Sequence, residues 1–198
     1  MLASMPEHVS TKTTSSTQQG YGHRMAILKI ARMGHPVLRR IADPIPPDRI
    51  NSPEVQQLIQ DMLDTVIEYD GIGLAAPQVH QSVRLVIVCL DPEEGFEAWI
   101  NPVLTATTNE EMVTSEGCLS VPGLRGDVSR PCEITVQAYN HQGEAFELNL
   151  EGFPAVIVQH ECDHLDGALY VDKVDTESLA FLEEFRKYAT PPEEESGE

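Results

Sequence analysis

The stretch QHECDHLDG, residues 159–167, sets two histidines four positions apart with a glutamate directly after the first. On an α-helix, His160 and His164 then stand one turn apart on a single face, and Glu161 flanks whatever they hold. Two imidazoles and a carboxylate base on one rigid element make the zinc-hydrolase arrangement. The flanking residues supply the helix. Phe153-Pro154 opens it, with proline in the first turn where its missing N–H is not needed, and Gly167 is suited to follow the last turn. Counting back from His160, Val156 and Phe153 fall on the histidine face with Ile157 beside them, an apolar wall next to an ion. For Phe153, plain core packing weighs equally.

The segments around this helix read mostly as strands. EITVQAY (133–139) and AFELNL (145–150) alternate apolar and polar residues and flank Asn140-His141-Gln142-Gly143, which predicts a hairpin. RLVIVCL (84–90) is short, apolar and β-branched, the pattern of a buried strand. Ser52-Pro53 starts a further helix, along which Val55, Leu58, Ile59, Met62, Leu63, Val66 and Ile67 recur at helical spacing. A last helix is expected over DTESLAFLEEFRKYA (175–189). Antiparallel β-sheets packed around a central helix that carries HExxH make an α+β fold.

At 198 residues the chain reads as one domain, with 41% hydrophobic and 23% charged residues. Residues 1–24 are rich in Ser, Thr and Gln and form a disordered leader. Met25, which opens MAILKI, is an alternative start, and the scarcity of arginine before it weighs against an organellar transit peptide. The folded unit covers 25–189 and an acidic tail 190–198. No apolar run spans a bilayer, so a cytoplasmic protein without membrane contact is expected. A formal charge of −19 repels nucleic acid phosphates. The four cysteines show no disulfide framework.

The third ligand sets the class of hydrolase. A metzincin needs a histidine where Tyr170 stands. A thermolysin-like site could draw on Glu177, Glu183 or Glu184. Cys118, in the irregular Gly-flanked segment SEGCLSVPG, is the other candidate, against the usual fate of a lone cysteine as a small core residue. Asp163 points partly away from the ion and suits an outer role, with Arg130 as partner. Asp166 reads as solvated. Cys89, Cys132 and Cys162 read as core packing, and His8, His23, His35, His80 and His141 as surface or turn positions.

Three motifs in order, GIGLAAPQ (71–78), EGCLS (116–120) and QHECDHLDG, resemble those of the peptide deformylases, and the likeness runs from residue 25 to about 174. The resemblance implies that Cys118, His160 and His164 hold one Fe(II) per chain, for which Zn(II) or Ni(II) can substitute. It implies that Glu161 moves the proton of the attacking water, and that the Gln78 amide and the Leu119 N–H face the oxyanion. Ile72, Gly73, Gly117, Leu119, Arg125, Phe153, Val156 and Ile157 are then the substrate contacts. The substrates would be formyl-methionyl nascent chains near the ribosome, released as free amines plus formate by a monomer or weak dimer. The acidic tail argues against docking on ribosomal RNA, so no direct nucleic acid binding is expected. Two rivals remain. One is a zinc endopeptidase indifferent to Cys118, and the other a module in which metal only staples the fold.

Overall fold

The structure, a computed structural model, describes residues 26–188. The leader and Met25, Ala189 and the acidic tail lie outside the described residues, as do His8 and His23.

The elements are, in chain order, α1 (Pro53–Glu68), β1 (Gly73–Ala75), β2 (Leu85–Asp91), β3 (Gly95–Ala106), β4 (Glu111–Cys118), β5 (Val121–Pro131), β6 (Glu133–Tyr139), β7 (Ala145–Glu151), α2 (Phe153–Leu165), β8 (Ala180–Phe181) and α3 (Leu182–Tyr188). Two antiparallel sheets form, one of five strands in the order β1-β2-β3-β6-β7 and one of three in the order β4-β5-β8. The fold is α+β, and no described helix is long and apolar enough to cross a membrane.

Helix α2 packs against β1, β2 and β7 of the larger sheet and against β5 of the smaller one. Its sequence explains that position. Ala155, Val156, Ile157, Val158, Cys162 and Leu165 are all buried, so apolar residues surround the helix rather than forming a stripe. All of these but Val156 join Val86, Val88, Trp99, Ile134 and Val136 in one core cluster. A second cluster seats α1, through Ile59, Met62 and Val66, beneath β1 and β2. The helix ends as the sequence predicts, with Gly167 at φ 76°. A side chain there would also press on the Arg39–Arg40 backbone.

Helix α1 and the β6–β7 hairpin follow their sequence patterns, and β2 is displaced by one residue from the expected 84–90. The C-terminal helix is a correction. It spans only Leu182–Tyr188, because the residues before it have stronger competing bonds. Asp175 accepts from the Glu177 N–H, and the Ser178 hydroxyl donates to the Asp175 carbonyl while accepting from the Asp127 N–H at 2.7 Å. Ala180 and Phe181 then pair with Arg125 and Leu124. The segment around Cys118 is likewise not irregular: Cys118 ends β4, with a bulge at Gly117/Cys118. Cys162 is buried as expected, but Cys89 and Cys132 are only half-buried and belong to no core cluster. His35, His80 and His141 are exposed, in or beside turns.

Candidate active site

Three elements bring the chemistry together. Helix α2 presents His160, Glu161 and His164, the end of β4 presents Cys118, and a 3-10 turn (Ala76–Val79) after β1 presents Gln78. One ligand atom from each of Cys118, His160 and His164 lies within 4.8 Å of the others, and this is the one such cluster among the described residues. Glu177, Glu183 and Glu184, the thermolysin-like alternatives, are not part of it. The Cys118 Sγ stands 3.3 Å from His164 Nε2.

The donor set fits a divalent cation. Glu116 takes His160 Nδ1 at 2.8 Å, which fixes the ring and leaves Nε2 as the free donor. Burial alone would lower the His160 pKa, yet bonding to Cys118 and Glu116 carries it up to about 10. His164 behaves oppositely, since burial and the neighbouring His160 push it well below its usual value. Its Nδ1 is buried with no protein partner. A neutral imidazole is the ligating form.

Behind His160 lies a buried ion-pair chain. Arg130 contacts Glu116 through both Nε and Nη2, at 2.5 and 2.9 Å, and reaches Asp163 through Nη1 at 2.9 Å. Lys173 completes it at 2.6 Å from Asp163. The expected Arg130–Asp163 pairing is present. Burial would raise the Glu116 pKa, but Arg130 and His160 hold it down at about 2. Replacing Arg130 by Met should destabilise the protein by about 3–5 kcal/mol at pH 7, because Glu116 then stays buried without its guanidinium partner, with His160 alone facing it. Glu116 is depressed in the fold, so the pair stabilises fully above the ordinary carboxylate range and loses this effect as pH falls through about 2. Urea unfolding should accordingly show the gap between parent and variant narrowing with acidification. A gap below about 1 kcal/mol at pH 7 would mean the pair contributes little.

Glu161 is 5% exposed, and its Oε2 has no protein partner. Burial raises its pKa to about 7, in the range of a proton acceptor and donor near neutrality. A Cβ on Gly73 would run into this carboxylate, so the β1 backbone can lie beside Glu161 only where residue 73 is glycine. The Gln78 Oε1 accepts from the Ala75 N–H at 2.8 Å, which turns its NH₂ toward Cys118 Sγ and Ser120 Oγ.

Gln78, Glu116, Cys118, His160 and Glu161 border a cleft of about 990 Å³. Ile72, Gly73, Gly117, Leu119, Arg125, Phe153, Val156 and Ile157 line it together with Cys118, His160 and Glu161. Phe153 is 53% exposed and so faces the cleft rather than the core. Arg125 is tied to the Ser115 carbonyl and lies over the Phe185 ring. Asp163 faces the ion-pair chain, and Asp166 is exposed beside Arg84. The sequence reading assigned no role to Glu116 and used Tyr170 only to exclude a ligand. Tyr170 in fact stacks on the His160 ring at 6.1 Å. Neither has a spacing signal, because both meet His160 through the fold.

A model of the polypeptide deformylases matches residues 27–179. The chain belongs to the polypeptide deformylase family. Solved deformylases share its architecture. The class I type b peptide deformylase from Acinetobacter baumannii, bound to Met-Ala-Ser, is 38% identical, with 76% of this chain and 100% of that one covered and a TM-score of 0.71. The Thermotoga maritima peptide deformylase is 38% identical over 75% of this chain and 98% of its own, at TM-score 0.71. The Synechococcus elongatus enzyme in complex with actinonin is also 38% identical, covering 75% and 81%, at 0.71. Deformylases are metal-dependent hydrolases, and the three donors at Cys118, His160 and His164 are where this one could hold its ion.

Proposed function

We propose that this deformylase removes the formyl group from formyl-methionine at the start of newly made polypeptides, releasing formate. The observation that carries the reading is the meeting of Cys118, His160 and His164 with Glu161 and Gln78 at one cleft. The Acinetobacter baumannii relative holds Met-Ala-Ser, which is the peptide that deformylation of formyl-Met-Ala-Ser would leave.

When bound, a divalent ion supplies the Lewis acidity that makes water a nucleophile near neutral pH. Glu161 accepts the proton of that water on the unpartnered Oε2 and returns it to the departing α-amine. The Gln78 NH₂, aimed by its bond from Ala75, and the Leu119 N–H donate to the oxygen that gains charge. Ile72, Leu119, Val156 and Ile157 give the methionine side chain an apolar seat, with Phe153 at its edge. Gly73 and Gly117 leave backbone open to the peptide, and Arg125 borders its further course. Fe(II) is assigned as the native ion on family likeness, since the donor chemistry alone would hold zinc or nickel as well. Helix α2 with its HExxH is the central element of the 25–189 domain, flanked by a leader and an acidic tail. Formylated nascent chains in the cytoplasm, met near the ribosome by a monomer or weak dimer without nucleic acid contact, are the proposed partners.

The test is formate release from formyl-Met-Ala-Ser by protein purified without oxygen. Formate and Met-Ala-Ser should appear in equal amounts. Metal-loaded protein that frees no formate but cuts inside longer peptides would replace this reading with the endopeptidase.

A further inference from the structure

One wall of the cleft carries charge opposite to that of the chain, although the cavity as a whole also has the carboxylates of Asp70, Glu116 and Glu161 in its lining, Glu116 and Glu161 being buried at the reacting centre. Against a formal net charge of −19, three of the chain's 13 lysines and arginines, Lys29, Arg32 and Arg125, line this one cavity, with His35 and His80 beside them. Among the described residues, the Lys29 and Arg32 side chains have no carboxylate partner and both are exposed. His35 and His80 meet edge-to-face, with ring centroids 4.7 Å apart. Burial, and then the neighbouring His35 and Lys29, hold His80 below its usual pKa, so His80 offers this wall hydrogen bonding while Lys29 and Arg32 carry its charge.

The basic segment is fixed relative to the reacting centre. The Ala31 N–H donates to the Gln78 carbonyl and the Met33 N–H to the Ser120 carbonyl, each at 2.7 Å. Gln78 and Ser120 are the neighbours of the Cys118 sulfur. Residues 29–35 therefore cannot drift from the metal cluster without breaking main-chain bonds at the site itself. Unpaired cations at a cleft wall, set in an otherwise negative surface, concentrate an incoming negative group there.

We propose that Lys29, Arg32, His35 and His80 form a selectivity rim that favours formylated chains bearing an Asp or Glu side chain within the first residues after the formylated one. The inference rests on the deformylase reading and adds a charge preference to it. The chemistry recognised is a carboxylate, which in a short peptide could also be the C-terminus, so the test peptides are amidated.

The experiment compares kcat/KM for formyl-Met-Glu-Ala-amide with formyl-Met-Lys-Ala-amide, and for formyl-Met-Ala-Glu-amide with formyl-Met-Ala-Lys-amide, at low and high salt. In at least one pair the Glu peptide should be preferred about tenfold at low salt, shrinking as salt screens the rim. The Lys29→Glu/Arg32→Glu protein should lose or reverse that ratio. Because the ratio is internal to each protein, partial unfolding of the variant does not affect it. Ratios within twofold of one in both pairs, or a ratio the double variant leaves unchanged, would overturn the rim. Formyl-Met-Ala-Ser-amide is run alongside. If it is deformylated while the ratios stay flat, only the rim fails, whereas no formate from any peptide overturns the deformylase reading and the rim with it.

Discussion

Cys118→Ala should stop formate release, with a fall of at least about a thousandfold, and should leave the purified protein with little bound metal. Cys118 supplies the one donor of the cluster that does not come from α2. Without it, two imidazoles remain on one side of the ion, with no anionic ligand opposite them. The fold should survive, because Cys118 is half-buried at a strand end and its sulfur makes long contacts, 3.3 Å from His164 Nε2 and 3.4 Å from the Gln78 Nε2 and from the Ser120 N–H. Metal content by elemental analysis and circular dichroism together read the two effects. Cys132→Ala, on a half-buried cysteine outside the cleft, is the control and should keep both metal and rate. Equal formate from Cys118→Ala and the parent would show that the sulfur is no ligand.

Glu161→Gln should separate metal binding from catalysis. The amide fills the same space beside Gly73, and His160 and His164 keep their positions on α2, so metal content should match the parent. Formate release should nevertheless drop by about 10²–10⁴-fold, mainly in kcat, because an amide cannot take the water's proton. Stability should not fall. Burial already opposes the charge on Glu161, and its Oε2 has no protein partner to lose. A variant that turns over at near-parent rate would remove Glu161 from proton transfer. One that is inactive because it is metal-free would make Glu161 a support of the ligand shell.

Much of this was legible in the residues, and the reason differs from element to element. Helix α1 and the β6–β7 hairpin carry periods of 3.6 and 2 over runs long enough to read. Helix α2 was found by its motif and its ends, since it is apolar on nearly every side and has no stripe to detect. Strands β3, β4 and β5 gave no such signal. β3 is interrupted at Asn101-Pro102, where Asn101 has φ 55° and the register shifts. β5 contains Pro122, Gly123 and Gly126, residues that ordinarily mark turns. The C-terminal segment has helical spacing throughout, but its first half is claimed by Asp175, Ser178 and the pairing with β5.

The site divides in the same way. His160, Glu161 and His164 are legible because one helix holds all three at fixed offsets. Cys118 could only be one candidate among several until a family likeness singled it out, since no spacing links residue 118 to residue 160. The Glu116–Arg130 pair and the basic rim at residues 29–35 have no local signature at all. The first depends on the pairing of β4 with β5, whose strands carry no legible period, and the second on where residues 29–35 dock beside Gln78 and Ser120.

The ion-pair chain from Lys173 through Asp163, Arg130 and Glu116 to His160 has one more consequence. It ties β4, β5 and α2 to one another through protein groups alone, and it does so directly behind the ligands. The ligand cluster is thus held in place by the folded chain whether or not an ion has arrived. Folding and loading would then be separate events, so that an ion held there could leave and be replaced without the chain's refolding. Supply and exchange would decide which metal such a preformed site of mixed nitrogen and sulfur donors holds.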